Sequence, residues 1–287
     1  MPYCIESILW QTELSKDKVE IIFVDNNCTD GTDQYLKQVC ADNPEIAMHY
    51  FLETKQGLSN ARNRGAEEAT GTHLAYIDDD AIMKKDYFQK CLEFIEDNPK
   101  CDAFGGPIFV HFEAEPPKWE NKYINSMFGY FNPSNEPFTF TSSNYPRGSN
   151  MIFSKELLDE VGLFDPNLGR IKKGLGASEE KDLFARIYKA KKKVQYDPSL
   201  IVDHIAPVER TTFEFVKKQA TGTGRTEVMR VKNIGGLAYP KALLLELMKW
   251  GATLLLWIKY ALQGHIAKGN SLIKFRYWIS KGLLSTK

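Results

Sequence analysis

Leu74–Asp80, LAYIDDD, is the stretch whose reading decides the fold. Its apolar and aromatic front is too short for a helix and ends in three consecutive carboxylates, as a buried strand does when it delivers acids to a sheet edge. Like charges this close repel, and each raises its neighbours' pKa unless a cation lies between them. A hard divalent cation relieves that repulsion. Carboxylate oxygens suit magnesium or manganese, which are held by one or two carboxylates together with substrate phosphates. The competing reading is a solvated turn that caps a helix starting near Met83. The position after a strand favours the metal.

Upstream, Val19–Val24 (VEIIFV) is short, continuous and β-branched, as a strand buried on both faces should be. It is preceded by an apparent helix, Pro2–Trp10, and ends in the turn-rich Asp25–Thr32, which feeds a helix from about Asp33 to Ala41. Ile46–Leu52 reads as another strand. Lys55–Asn63 then opens a helix running to about Ala69, in which Ala61, Gly65, Ala66 and Ala69 recur at helical spacing and allow close approach to a sheet. Arg62 and Asn63 fall in its first turn, where a cation is tolerable if an anion or phosphate is shared. A solvent-facing Arg is the bland alternative. Strand, turn and helix in succession form the unit of a parallel sheet, and ligands of such sheets bind at the strands' carboxyl ends.

Asp25 with Asp30-Gly31-Thr32, Gly57 with Ala61-Arg62-Asn63, and Asp78-Asp79-Asp80 each follow a strand, in the order a nucleotide-binding α/β sheet needs. In combination they resemble the family 2 glycosyltransferases of the GT-A fold, over roughly residues 1 to 215. The resemblance implies a mixed, mostly parallel sheet flanked by helices, a nucleotide-sugar donor, and inversion at the anomeric carbon. It further implies that Asp25 contacts the nucleotide base, that Arg62, Asp78 and Asp79 hold the nucleotide, and that Asp80 ligates Mg2+ or Mn2+ on the diphosphate.

Later segments extend the likeness. Asp86–Asp97 has helical spacing, and Cys101–Val110 is strand-like but broken at Gly105-Gly106-Pro107, where a substrate or another backbone comes close. Residues 111 to 145 are irregular and rich in Pro, Asn and aromatics whose faces, Trp119 among them, would suit a sugar acceptor, with core packing the commoner duty of any single one. Arg147–Phe153 resembles the family's acceptor-side strand, with Gly148 and Asn150 on that side, and a helix starts at Ser154 and ends near Gly162. The glycine-rich Gly174–Ser178 leads into Glu179-Glu180-Lys181-Asp182. The family usually has Glu-Asp-x-Asp here, so Glu180 takes the place of the catalytic base, one methylene longer, and Glu179 stands on the acceptor side. Favourable acids in a helix's first turn are the structural alternative. Val194–Val202 reads as a last strand, with Asp203-His204 at its end, and His204 matches a family histidine that approaches the metal or diphosphate.

The family normally begins with a further strand and a nucleotide-gripping turn, and the sequence starts after that point. The expectation is therefore a sheet without that strand. A non-catalytic or truncated nucleotide-sugar or glycan-binding module, or a nucleotidyltransferase, stands as the alternative.

Composition is that of an ordinary folded protein, 43% hydrophobic and 26% charged in 287 residues, long enough for one large domain or two small ones. The formal charge is zero but uneven: after Glu246 there is no acid, and the tail carries +7. No nucleic-acid partner is expected. Five scattered cysteines form no metal-ligand spacing and fit a reducing compartment, and the N-terminus lacks a signal-peptide pattern, so a cytoplasmic location is expected.

Ala242–Leu262 is strongly apolar but interrupted by Glu246, Lys249 and Lys259, too short an uninterrupted run to span a bilayer. With the basic tail it reads as an amphipathic helix lying in an anionic membrane surface, with packing against the rest of the protein as the alternative. The expected organisation is a glycosyltransferase domain at 1–215, with its donor half about 1–110 and its acceptor half about 111–215, followed by a helical, membrane-associating region at 216–287. The acceptor would be a glycan or lipid-linked hydroxyl.

Overall fold

A computed structural model describes residues 1–142, 144–168 and 179–285. The glycine-rich Gly174–Ser178 lies outside them. In chain order the described residues form α1 (Pro2–Leu9), β1 (Glu20–Asp25), α2 (Thr32–Asp42), β2 (Ala47–Leu52), α3 (Leu58–Glu68), β3 (His73–Tyr76), β4 (Ala81–Met83) and α4 (Tyr87–Asp97). There follow β5 (Ala103–Gly105), β6 (Ile108–Phe112), β7 (Phe138–Thr139), β8 (Met151–Ser154), α5 (Lys155–Val161), α6 (Glu179–Lys189), β9 (Val194–Tyr196) and β10 (Val202–Ala206). Three long helices end the chain: α7 (Phe213–Ile234), α8 (Ala238–Leu262) and α9 (Ile266–Leu283).

The strands fall into three sheets: a parallel pair β1–β2, a three-stranded sheet ordered β4–β10–β6, and a five-stranded sheet ordered β3–β8–β5–β9–β7. Parallel pairing holds for β1–β2 and β5–β9, whereas β3–β8, β5–β8 and β7–β9 are antiparallel. The mixed α/β character, with sheets flanked by helices, is as expected. β1 is half-buried except for Asp25, not covered on both faces.

Two compact units are present, Met1–Phe109 with Phe131–Asp203, and Val110–Tyr130 with His204–Lys287. Segment 110–130, assigned from sequence to the acceptor half, therefore belongs with the C-terminal helices. In the first unit, α4 buries Tyr87, Phe88, Cys91 and Phe94, and Phe94 stacks on Phe104 at 4.2 Å. β8 is buried between β3 and β5, with Met151, Ile152 and Phe153 in the core. The glycine break after β5 serves a backbone approach. A Cβ on Gly105 would lie 2.3 Å from the Asn150 carbonyl oxygen, and one on Gly106 2.1 Å from that of Leu200.

Asp78–Asp80 lead into strand β4 rather than capping a helix near Met83, and the expected helix over Asp86–Asp97 is α4. One expected boundary moved. Val194–Val202 divides into β9 and β10 because the Asp197-Pro198-Ser199 turn intervenes, closed by the Ser199 amide donating to Asp197 Oδ1 at 2.8 Å. His204 therefore sits inside β10 rather than after a strand.

In the second unit, α7, α8 and α9 pack around a core that includes Val216, Ala220, Leu272 and Phe275. The crossing of α7 and α9 depends on Gly224 and Gly282: a Cβ on Gly282 would lie 2.2 Å from the Thr221 carbonyl oxygen, and one on Gly224 2.1 Å from that of Ile279. Backbone cannot yield as a side-chain tip can. Gly282→Val is thus expected to destabilise the protein by at least about 1–3 kcal/mol through overpacking, read as a lowered urea midpoint. An unchanged midpoint would mean that the two helices are not in such close contact.

Candidate active site

The register of β3 on β8 builds the site. Tyr76 pairs with Met151 in antiparallel fashion, so residues just after Tyr76 face residues just before Met151. Two steps out on each side, the Ser149 hydroxyl donates to Asp78 Oδ2 at 2.8 Å. The acid triplet and the Arg147–Asn150 turn are brought together by strand pairing alone.

Arg62 reaches the same place from α3. It is the fifth residue of that helix, not a first-turn residue, and it is buried at 6% exposure rather than facing solvent. Its guanidinium lies 3.6 Å from Asp78, 3.6 Å from Glu179 and 3.3 Å from Glu180, and over the Phe164 ring at 5.2 Å. Asn63 fixes that ring's backbone, donating to the Phe164 carbonyl and accepting from its amide. Small residues let α3 approach the sheet as expected, since a Cβ on Gly65 would be in ordinary contact with Val24 at 3.6 Å.

Glu179 and Glu180 enter from the first turn of α6. Glu179 is 3% exposed, and Glu180 is half-buried. Desolvation pushes the Glu180 carboxyl above the ordinary glutamate value; Arg62 opposes this, and the charges of Asp78 and Glu179 add to it. Gly148 abuts both groups: a Cβ there would lie 2.5 Å from Glu180 Oε1 and 2.8 Å from Arg62 Nη2. The structure thus gathers Arg62, Asp78, Gly148, Glu179 and Glu180. It adds Ser149, which sequence reasoning did not single out although it stands inside the motif that held Gly148 and Asn150.

Asp79 and Asp80 continue the loop from Asp78. Partial desolvation, then the charges of Asp80 and Asp78, raise the Asp79 carboxyl above its ordinary value. Oxygen donors alone at this loop are of the type that suits a hard divalent cation. Among the described residues no three His, Cys, Asp or Glu side chains converge to hold an ion by themselves. The oxygen donors present are of the kind that can share a hard cation with phosphate and water.

Other expected site residues lie elsewhere or face inward. Asp25 is 2% exposed at the end of β1, and its carboxylate accepts from the Cys28 amide at 2.8 Å and the Tyr50 hydroxyl at 2.9 Å. Burial alone would raise its pKa, but these hydrogen bonds hold it below the ordinary value. Asn26 ties that turn to the next, donating to the carbonyls of Glu53 and Lys55 and accepting from the Gly57 amide.

Asn150 does not face an acceptor. It is fully buried, donates to the carbonyls of Pro107 and Leu200, and accepts from the Tyr87 hydroxyl, stapling the core. Trp119 belongs to the second unit, where it stacks on Phe213 at 4.5 Å and packs near Phe128. Its aromatic face is used in that core. His204 is also in the second unit, with Arg210 Nη1 3.2 Å from its Nε2. Arginine only donates, so Nε2 accepts, and the lone pair a metal would need is engaged.

With this fold and site in view, the comparisons are direct. The Glycosyl transferase family 2 model matches residues 1–162, and the chain belongs to that family of sugar-transferring enzymes. It is 28% identical over 243 residues to a glucosyl-dolichyl phosphate glucuronosyltransferase of Haloferax volcanii, covering 83% of this chain and 73% of the relative. It is 38% identical over 97 residues to a Bacillus subtilis protein assigned to teichuronic acid biosynthesis as the glycosyltransferase TuaG, covering 34% of this chain and 38% of the other. The GT-A fold is shared with the mannosyltransferase PcManGT of Pyrobaculum calidifontis, solved in complex with GDP-Man and Mn2+. That likeness has a TM-score of 0.60 at 17% identity and covers 100% of this chain and 84% of the other.

Two substitutions test the site's construction. Arg62→Ala leaves buried acids unpaired and is expected to cost about 3–5 kcal/mol in urea denaturation; a loss below about 1 kcal/mol would mean that the guanidinium does not compensate them. Gly148→Ala meets only the ends of side chains, so the melting temperature should hold while transfer activity falls. Full activity would show that Glu180 and Arg62 tolerate displacement.

Proposed function

We propose that this chain is an inverting, metal-assisted glycosyltransferase that moves a sugar from a nucleoside-diphosphate donor to a hydroxyl of a glycan or lipid-linked acceptor in cell-surface polysaccharide synthesis. The observation that carries the reading is Glu180, a carboxylate of raised proton affinity held by Arg62 against Gly148 and facing the acid loop through Asp78. A base of raised pKa takes a proton from a hydroxyl more readily in the transition state. Glu180 accepts the acceptor's hydroxyl proton as the oxygen attacks the anomeric carbon from the face opposite the diphosphate. One carbon–oxygen bond forms and one breaks, so the configuration inverts.

Arg62 and Asp78, locked together, position the donor, with Asp79 beside them and Asp25 shaping the base-side turn. Held by Asp80 and the donor's phosphate oxygens, Mg2+ or Mn2+ would supply positive charge where the leaving diphosphate gains negative charge. Manganese and a nucleotide-sugar in the name of the mannosyltransferase complex, and a dolichyl phosphate sugar in that of the archaeal relative, support the choices of cofactor and acceptor. Residues 1–215 are read as the catalytic domain. Residues 216–287 are read as a membrane-associating region at the cytoplasmic face, and among the described residues no helix is long and apolar enough to cross a membrane.

Glu180→Gln tests the reading. Its kcat should fall about 10²–10⁴-fold, while calorimetric titration with UDP or GDP and Mn2+ still reports binding. Activity within about tenfold of wild type would assign the proton to another group. In the wild type, kcat/KM is present when Glu180 is ionised and is lost as pH falls through its raised pKa, so the acid limb should lie above the ordinary glutamate range. The product's anomeric configuration, read by NMR, should be opposite to the donor's; retention would contradict a single displacement.

A further inference from the structure

Helix α8 is turned inside out. Two of its polar residues, Glu246 and Thr253, are turned inward at 7% and 6% exposure, while Lys241, Lys249 and Lys259 are exposed. Glu246 pairs with Arg276 of α9 at 3.2 Å and accepts from the Ser280 hydroxyl at 2.8 Å. Ser280 also accepts from the Trp250 indole at 2.9 Å, and Arg276 lies 3.4 Å from the Thr253 hydroxyl.

The opposite stripe carries Leu244, Leu247, Met248, Leu255, Ile258 and Leu262, separated by three, one, seven, three and four residues. At 3.6 residues per turn they share one face. All are exposed, Leu247 at 68%, Leu255 at 70% and Leu262 at 84%. A helix in water would reverse this orientation, because the exposed stripe costs apolar surface that the buried one does not recover.

Charge indicates what covers the stripe. From Ala238 to Leu283 the chain has seven Lys or Arg and one acid, and that acid, Glu246, is buried in its ion pair. The exposed surface of α8 and α9 thus carries only positive formal charges, among them Lys241 and Lys259 near the two ends of the leucine stripe. Long lysine side chains can lay their stems along apolar surface and lift the ammonium to a phosphate level. A two-fold contact with a second copy would instead set the same patch against itself, lysine against lysine.

We propose that this outward leucine face of α8 inserts into the surface of a bilayer containing anionic lipid, with Lys241 and Lys259 on the lipid phosphates and the Glu246–Arg276 pair fixing the helix in this orientation. The inference rests on the membrane-associating reading of residues 216–287 and specifies which face makes the contact.

Flotation of the full chain with lipid vesicles tests it. Wild type should bind vesicles of phosphatidylcholine with about one-third phosphatidylglycerol at least roughly tenfold more tightly than phosphatidylcholine alone, and salt should weaken the binding. The triple variant Leu244→Gln, Leu247→Gln, Leu255→Gln should lose roughly tenfold or more on anionic vesicles. The double variant Lys241→Gln, Lys259→Gln should lose the preference for anionic lipid. Circular dichroism should be unchanged in both, because every substituted side chain is exposed.

Wild type that fails to bind anionic vesicles overturns the proposal and the membrane-associating reading together. Binding retained in full by the leucine variant overturns the assigned face and leaves that reading standing. A lipid-independent dimer, seen by sedimentation and abolished in the leucine variant, assigns the face to a second copy instead. Transfer to a water-soluble acceptor should be equal in all three proteins; its loss in the variants would place this face in the catalytic apparatus and overturn the proposal.

Discussion

Arg62 is a buried cation set against Asp78, Glu179 and Glu180, and the candidate site depends on that imbalance. A guanidinium keeps its charge at any pH a protein survives, so the surrounding acids must adjust to it. Nearby, Asp79 and Asp80 add further negative charge. Burial raises Glu180's affinity for a proton against the opposing charge of Arg62, and the excess of acids adds to that rise. The proposed proton acceptor and donor site thus share one arrangement of charges.

The scaffold that holds the arrangement is rigid where it has to be. Asp78 and Ser149 meet because β3 and β8 pair in a fixed antiparallel register, and a slip of one residue would turn Asp78 to the other face. Asn150, next in sequence, anchors the same turn to the core through two carbonyls and a buried tyrosine. Its burial converts an expected acceptor contact into the support that keeps Gly148 and Ser149 in place.

The strand, turn and helix succession was legible because its signals are local: apolar runs, Asx-rich turns and small residues at helical spacing. The grouping of Arg62, Asp78 and Glu180 was legible through their places after successive strands and at a helix start. What escaped was long-range. Ser149 acts through a register that sequence does not display, and Trp119 and Asn150 were drawn inward by partners far along the chain. Pro198 marked the division of β9 from β10, yet the apolar residues around it read as one strand. On α8 the polar positions were legible as one face, but not that this face is the inner one. Its partner Arg276 lies 30 residues on, and only the folded helices bring the charges together.

The most direct test of the central claim is a 13C NMR titration of the Glu180 carboxyl in protein labelled at glutamate, assigned through Glu180→Gln and repeated with Arg62→Lys. Burial, with the charges of Asp78 and Glu179, predicts a midpoint above the ordinary glutamate value in the wild type. The midpoint should rise further in the variant, where a compact ammonium replaces the forked guanidinium and pairs less well with three acids. A wild-type midpoint at or below that of a solvated glutamate, unmoved in the variant, would contradict the account, since Glu180 would then be an ordinary solvated acid.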